Sequence, residues 1–267
     1  MTSAAVTYSN YLKIDELLSC QQRRSTGPDG KAEHDEMLFI IIHQVYELWF
    51  KQVLHELDHL RLTLEGNDAP ASLHTFKRIL TILKTLVAQV DILETMTPLS
   101  FNSFRGRLES ASGFQSAQFR EVEFALGHRQ ASAIAAHAEG SAARARLERR
   151  LGEPALFDSF LRFLALNGFD VPSQLLSRDV TQRWEPSEPL QEVLVQVYRT
   201  HPTCAQVCER LVDLDEGLQE WRYRHVKMVE RTIGTKPGTG GSAGAEYLRQ
   251  TLFRPLFPDL WAIRIHL

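Results

Sequence analysis

The sequence lacks any segment that would anchor the chain in a membrane or direct it out of the cell. No apolar run reaches the roughly 18–20 residues that a helix needs to span a bilayer. The first residues, MTSAAVTYSNYLKIDE, do not combine a basic region with an apolar core. Cysteine is scarce too, and three residues in a chain of 267 do not make a disulfide framework. These absences favour a cytoplasmic protein.

An excess of charge of one sign is also missing. The 30 Lys and Arg residues nearly balance the 33 Asp and Glu residues, so the formal net charge is only −3. Such a chain creates no field that would gather nucleic acid or an anionic membrane surface. We therefore expect neither nucleic acid nor a membrane among its partners.

Strand-like alternation and internal repeats are absent as well. Instead, apolar residues recur at steps of three and four over long stretches, most clearly at 34–65, 76–96 and 207–228, and a last helix is expected at about 245–257. We predict an all-α fold, a helical bundle with irregular inserts, in which residues 34–267 form one domain. Residues 1–33 form an N-terminal arm that is too poor in apolar groups to fold alone, so it must dock on the core or on a neighbouring subunit.

The most apolar helix, His34–His59, contains a histidine on its apolar face. His43 has Phe39 at i−4, Tyr46 at i+3 and Phe50 at i+7, which places the imidazole in an aromatic stripe. Burying it without a partner would cost about 1–3 kcal/mol, so a hydrogen-bond partner is expected. One interpretation is a core histidine bonded to a backbone carbonyl or a tyrosine hydroxyl. The other is an aromatic pocket in which the imidazole meets the N–H or O–H of a flat ligand.

A second histidine interrupts the regular apolar seam of the last long helix. His225 follows Trp221 and precedes Met228 at seam positions that otherwise suit leucine. It is either a hydrogen-bonded core residue or an axial ligand of a buried haem iron. The chain has no C-x-x-C-H motif, so any haem would be bound non-covalently.

Three further features are ambiguous when taken one at a time. The segment HELDH at 55–59 matches the H-E-x-x-H pattern of zinc peptidases, but its place on a polar stripe favours a surface patch. The loop GTKPGTGGSAG either presents backbone N–H groups and the Thr239 hydroxyl to an anionic or zwitterionic small molecule, or is only a helix cap and linker. Arg105 is either a surface cation or a bidentate clamp for a carboxylate.

Five segments taken together resemble the tryptophan 2,3-dioxygenase family. They are TYSNYLKIDELL, HDEMLFIIIHQVYELWFKQVLHEL, ILETMTPLSFNSFRGRLESASGFQSAQFRE, LVDLDEGLQEWRYRHVKMVERTIG and KPGTGGSAGAEYLR, and they run in the family's order from residue 7 to residue 250. The resemblance implies a haem-dependent enzyme that opens the indole ring of L-tryptophan with O2 to give N-formylkynurenine in the kynurenine pathway. It also implies an all-helical homotetramer.

The resemblance implies roles for individual residues. His225 would be the axial ligand of one non-covalent haem b per subunit, and His43 would be the catalytic residue that accepts the indole N–H. Arg105 would clamp the substrate carboxylate, and Thr239 would hold its ammonium and carboxylate groups. Tyr11 and Leu12 of the arm would close the active site of a neighbouring subunit. The other substrate-binding positions would be Phe39, Ile40, Ile41, Ile42, Phe101, Ser112 and Gly113.

Two residues depart from the family pattern, and three other functions fit parts of the sequence. Phe101 stands where many bacterial relatives have Tyr, and Ala243 replaces the second Ser of GTGGSSG. Neither change removes a proposed ligand. The alternatives are a haem-dependent monooxygenase of tryptophan or a substituted tryptophan in natural-product biosynthesis, a non-catalytic sensor of haem or tryptophan, and a zinc peptidase built on HELDH.

Overall fold

The computed structural model describes residues 5–27, 29–109, 111–238 and 244–267. Within these ranges the fold is all-α, as predicted, and the single β-type contact is an isolated bridge between Thr26 and Ala32. None of the described helices is long and apolar enough to cross a membrane. The α-helices are α1 (Tyr8–Leu12), α2 (Ile14–Leu18), α3 (Glu36–Glu65), α4 (Ala69–Leu93), α5 (Pro98–Arg105), α6 (Ala117–Ala125), α7 (Ala142–Leu151), α8 (Leu156–Leu166), α9 (Ser173–Leu176), α10 (Glu188–Thr200), α11 (Pro202–Ile233), α12 (Ala245–Arg249) and α13 (Pro258–Ala262).

The centre of the bundle is formed by α3, α4 and α11, which pack along much of their lengths. The turn after α3 is short, and the Asp68 side chain accepts a hydrogen bond from the backbone of Ala71 to cap α4. Side-chain contacts join Tyr46 to Leu86 near one end and the later part of α3 to the early part of α4 at the other. The two helices are therefore antiparallel, as expected for long helices joined by a short loop.

The apolar seam of α11 is buried except where His225 interrupts it. Val207, Leu211, Leu214 and Leu218 are at most 3% exposed, and they belong to the main core of the protein. His225, one helical turn after Trp221, is only partly buried because it opens onto an internal cavity. Trp221, one turn earlier, belongs to the core and also lines the cavity, so the core gives way to the cavity over this turn of α11.

A smaller apolar cluster supports the other side of this cavity. It joins α3, the end of α4, α5 and α11 through residues Ile42, Val90, Leu93, Met96, Phe104 and Met228. Thr97 caps α5 by accepting a hydrogen bond from the backbone of Ser100, and Pro98 occupies the first turn, where its missing N–H costs nothing. This packing fixes the short helix that ends in Arg105.

The arm contacts the core only lightly within one chain. Helices α1 and α2 bury none of their residues. Behind them, Gln21 donates a hydrogen bond to Gln44 of α3, and the buried Glu36 carboxylate accepts the backbone N–H groups of Arg24 and Ser25. The division into an arm and one catalytic domain stays a prediction.

The expected last helix at 245–257 is wrong in its extent. Helix α12 ends at Arg249, and Phe253 has a left-handed backbone with φ of 57°. The buried Asp215 carboxylate of α11 accepts hydrogen bonds from the backbone N–H groups of Leu256 and Phe257, at 2.8 and 3.2 Å. Because Asp215 already satisfies these two donors, they need no helical partners, and the segment runs along α11 without forming a helix.

Candidate active site

A cavity of about 270 Å³ lies between α3, α5, α6, α11 and the segment that leads into α12. Its walls are mainly apolar and aromatic, with a few charged and polar groups, as in many small-molecule sites. Both histidines singled out in the sequence line it. Of the other predicted site residues, it is lined by Phe39, Phe101, Arg105, Ser112 and Gly113.

The imidazole of His43 presents a hydrogen-bond acceptor to this cavity. Its Nδ1 lies 2.7 Å from the carbonyl oxygen of Phe39, one turn earlier on α3. A carbonyl can only accept, so Nδ1 carries the proton and Nε2 keeps its lone pair in the neutral ring. Burial lowers the pKa of His43, which keeps the ring neutral at pH 7. The backbone-carbonyl partner is thus present and the ring lines an aromatic cavity, while a contact between the imidazole and a ligand stays a prediction.

The imidazole of His225 has a ring neighbour but no hydrogen bond. It stacks on Trp221 with ring centroids 5.2 Å apart and planes inclined by 5°. Among the described residues, no group hydrogen-bonds to either of its ring nitrogens. Burial, with a smaller contribution from His43, lowers the pKa of His225 to about 4. A neutral, unpartnered imidazole in an apolar cavity has the donor chemistry that an iron ligand requires.

Arg105, which lines the cavity, contacts the first part of the glycine-rich loop. The Arg105 guanidinium donates a hydrogen bond to the Pro237 carbonyl. Gly244 has φ of 61°, and a Cβ atom at this position would lie 2.6 Å from the carbonyl oxygen of Lys236. Gly238 and Gly244 both line the cavity, while Thr239 and Ala243 lie outside the described residues.

Several predicted residues do not line this cavity. Because successive residues of a helix are rotated by about 100°, Phe39 and His43 face the cavity while the residues between them face elsewhere. Ile42 packs in the smaller apolar cluster, Ile41 is 42% exposed and Ile40 is partly buried outside the cavity wall. Tyr11 and Leu12 are 75% and 43% exposed on the arm, away from the cavity of their own chain.

Other cavity residues were not predicted as site residues from the sequence. Tyr46 and Phe50 were placed in the aromatic stripe of His43 but were given no role in the site, and Glu47 follows His43 at i+4, a spacing that could have identified it. Trp221 and Arg222 could have been found in the same way from His225. Phe119, Arg120 and Glu123 come from α6, and no local pattern connects that helix to either histidine.

The HELDH segment contributes one ion pair to the packing of α3 on α4. Glu56 is buried and accepts hydrogen bonds from Arg78 at 3.1 Å, whereas His55 and His59 point to solvent. Within the described part of the chain, no group of three or more His, Cys, Asp or Glu side chains could hold a metal ion. The geometry gives the zinc-peptidase interpretation no support, because such a site needs three protein ligands.

Comparison with known proteins agrees with this site. Residues 1–152 and 175–267 match the family model described as tryptophan 2,3-dioxygenase. The chain is 62% identical over 265 residues to a protein of that name from Herpetosiphon aurantiacus, covering 99% of this chain and 100% of the relative. Identity is 59% over 263 residues with the Anaeromyxobacter sp. (strain K) protein, covering 98% and 96% of the two chains. It is 44% over 262 residues with the Kineococcus radiotolerans protein, covering 97% and 90%. The chain therefore belongs to the tryptophan 2,3-dioxygenase family.

Proposed function

We propose that this protein cleaves the C2–C3 bond of the indole ring of L-tryptophan with O2 and releases N-formylkynurenine, the first step of tryptophan degradation through the kynurenine pathway. Family membership and the shared name of the relatives support the reaction. The observation that carries the proposal is one aromatic cavity with a hydrogen-bond acceptor at His43 and a free imidazole at His225.

The proposed cofactor is haem b, bound non-covalently with one per subunit. His225 would hold the iron, because its ring is neutral and has no hydrogen-bond partner among the described residues. Phe50, Phe119 and Trp221 provide flat apolar walls of the kind that a macrocycle can pack against. When bound, the haem supplies an iron that activates O2.

His43 would fix the direction of the indole ring. Its Nδ1–H is held by the Phe39 carbonyl, so the orientation of the acceptor Nε2 is set before the substrate arrives. An indole N–H that donates to Nε2 leaves the carbon edge of the ring in a defined position. Such positioning lowers the barrier because reacting atoms need no further orientation.

Arg105 would fix the amino-acid end of the substrate. Its bond to the Pro237 carbonyl is a bond to a neutral acceptor, and a carboxylate binds a guanidinium more strongly and through two parallel bonds. A substrate carboxylate can therefore replace the carbonyl. Thr239 is proposed to hold the ammonium and carboxylate groups from the same loop, while Phe39, Phe101, Ser112 and Gly113 exclude water around the ring.

The assembly is also part of the proposal. We infer a homotetramer in which the arm of one subunit covers the active site of a neighbour. The exposure of Tyr11 and Leu12 in the single chain supports this exchange, because apolar side chains on an arm gain stability only when another surface covers them. L-Tryptophan and O2 are the proposed small-molecule partners, and the proposed location is the cytoplasm.

Isotope labelling tests the reaction. Haem-loaded, reduced protein is incubated with L-tryptophan under ¹⁸O2, and the product mass is measured. We expect N-formylkynurenine carrying two labelled atoms. One labelled atom would instead establish the monooxygenase alternative, and bound tryptophan without any product would establish a sensor.

A further inference from the structure

We propose that Trp221 is a positioning residue for His225, and that its indole face holds the imidazole in one plane before the iron binds. This inference rests on the proposed haem cofactor and deepens it, because it concerns how the chain presents the iron ligand. It gives the Trp221 indole a second role beside that of an apolar wall of the cavity.

The imidazole of His225 lacks the hydrogen bond that usually orients a metal-binding histidine. Such a histidine normally donates its second ring N–H to a carbonyl, a carboxylate or water. His43 has an anchor of this kind, because its Nδ1 lies 2.7 Å from the Phe39 carbonyl four residues earlier. No described group hydrogen-bonds to a ring nitrogen of His225, not even the equivalent carbonyl of Trp221. Another contact must therefore orient the ring.

The Trp221 indole supplies that contact through its face. The ring centroids of Trp221 and His225 lie 5.2 Å apart, and the two planes differ by only 5°. The residues are four positions apart on α11, so their side chains lie one above the other on the same face of the helix. Within the described part of the chain, no second ring contacts the imidazole. Rotation of the imidazole out of this plane would lose the stack.

Three aromatic side chains from other helices fix Trp221 itself. The rings of Tyr46, Phe50 and Phe119 lie 6.3, 6.2 and 5.0 Å from the indole, inclined by 63°, 88° and 45°. Trp221 is 8% exposed and belongs to the main core. Because α3 and α6 hold the indole from other sides, its plane is set by the packing of three helices. The imidazole therefore aligns with the indole, and not the reverse.

A purely structural role would not require tryptophan at this position. The Nε1–H group of Trp221 is buried and makes only a weak contact, with the Tyr46 hydroxyl, in place of a regular hydrogen bond. Burying a donor in this way costs stability, and phenylalanine would fill an aromatic core without that cost. The wide face of the indole compensates by stacking on the imidazole, since paired aromatic rings gain stability beyond the burial of their surface.

The orientation of the imidazole is measured in the haem-loaded protein. Ferric cyanide complexes of the natural protein, Trp221→Leu and Trp221→Phe are compared by electron paramagnetic resonance, because their g values depend on the plane of the axial imidazole. We expect Trp221→Leu to shift and broaden the g values and to weaken haemin binding roughly 2- to 12-fold through loss of the stack. Trp221→Phe keeps a ring face and should restore the natural g values. Trp221→Met, which fills more space, serves if Trp221→Leu folds poorly.

Phe50→Leu is the matched control. Phe50 lines the same cavity and meets the Trp221 ring edge-on, but it makes no ring contact with His225. This variant also replaces an aromatic wall of the cavity by leucine, so haemin binding should weaken to a similar extent. Its g values should stay those of the natural protein, because the indole still covers the imidazole.

Two results would overturn the inference. Natural g values in Trp221→Leu would mean that the imidazole keeps its orientation without the indole, whatever the haemin affinity. Equal changes of the g values in Phe50→Leu would mean that the loss of any wall ring has the same effect. Failure of the proposed cofactor looks different, because the natural protein would then bind no haemin, or His225→Ala would bind it as tightly as the natural protein.

Discussion

Replacing His43 by alanine should weaken the binding of L-tryptophan through the loss of one hydrogen bond. In the natural protein Nε2 is the acceptor, because Nδ1–H is committed to the Phe39 carbonyl at 2.7 Å. Leaving a buried indole N–H without an acceptor costs about 1–3 kcal/mol, or roughly 5- to 140-fold in the dissociation constant. The variant leaves the Phe39 carbonyl satisfied, since the backbone N–H of residue 43 still donates to it within the helix.

The assay compares two ligands of the same shape. L-Tryptophan and its benzothiophene analogue, which has sulfur in place of the indole N–H, are titrated into reduced, haem-loaded protein without O2. The natural protein should prefer L-tryptophan, and His43→Ala should bind both ligands with similar affinity. Phe39→Leu is the control, because it removes a ring 4.1 Å from the imidazole but keeps the acceptor, and should weaken both ligands alike.

The ratio of the two affinities in His43→Ala tests whether the imidazole accepts the indole N–H. If His43→Ala still favours L-tryptophan over the sulfur analogue by the natural factor, the imidazole does not accept the indole N–H and the proposed orientation of the substrate is wrong. Haem content and the unfolding temperature of the variant should stay close to those of the natural protein, since His43 is proposed to touch the substrate and not the iron.

Three further predictions concern the iron ligand, the loop and pH. His225→Ala should abolish the haem absorption band and the activity, and an active variant that retains haem would overturn the assignment. Gly244→Ala should weaken L-tryptophan binding without changing haem content, because its Cβ would lie 2.6 Å from the Lys236 carbonyl; unchanged affinity would mean that binding does not depend on the close approach of Gly244 to Lys236. The free energy of unfolding of the haem-free protein should fall by about 2 kcal/mol from pH 8 to pH 5 through His128. In the unfolded state His128 takes up a proton as the pH falls through about 6.5. In the folded state its pKa is about 4, so it stays neutral at pH 5, and protonation therefore favours the unfolded state. Urea unfolding of His128→Gln should show a correspondingly smaller fall, and an equal fall would assign the pH dependence to other groups.

The local features of the chain were predictable because they depend on neighbours within one or two helical turns. Steps of three and four identified the long helices, and the same steps placed His43 among aromatic side chains and His225 on an apolar seam. The partner of His43 is also local, a carbonyl four residues earlier. These predictions needed no knowledge of which helices meet.

Errors arose where a segment depends on a distant partner. The end of the last helix was misplaced because Asp215, forty-one residues before Leu256, satisfies the backbone there. Glu47 of α3 likewise accepts a 2.7 Å hydrogen bond from Gln118 of α6, a partner seventy-one residues away that no local pattern indicates. Competition between local and distant partners is resolved only when the helices pack.

The sequence by itself determined the helical periodicity, the two histidines on apolar faces and the family to which the chain belongs. Only the tertiary structure decided that His43 and His225, 182 positions apart in the chain, line one cavity, and that Arg120, Glu123 and Arg222 share its wall. The physical reason is that helical hydrogen bonds follow local sequence, whereas a cavity and its charge balance depend on which faces of separate helices come together.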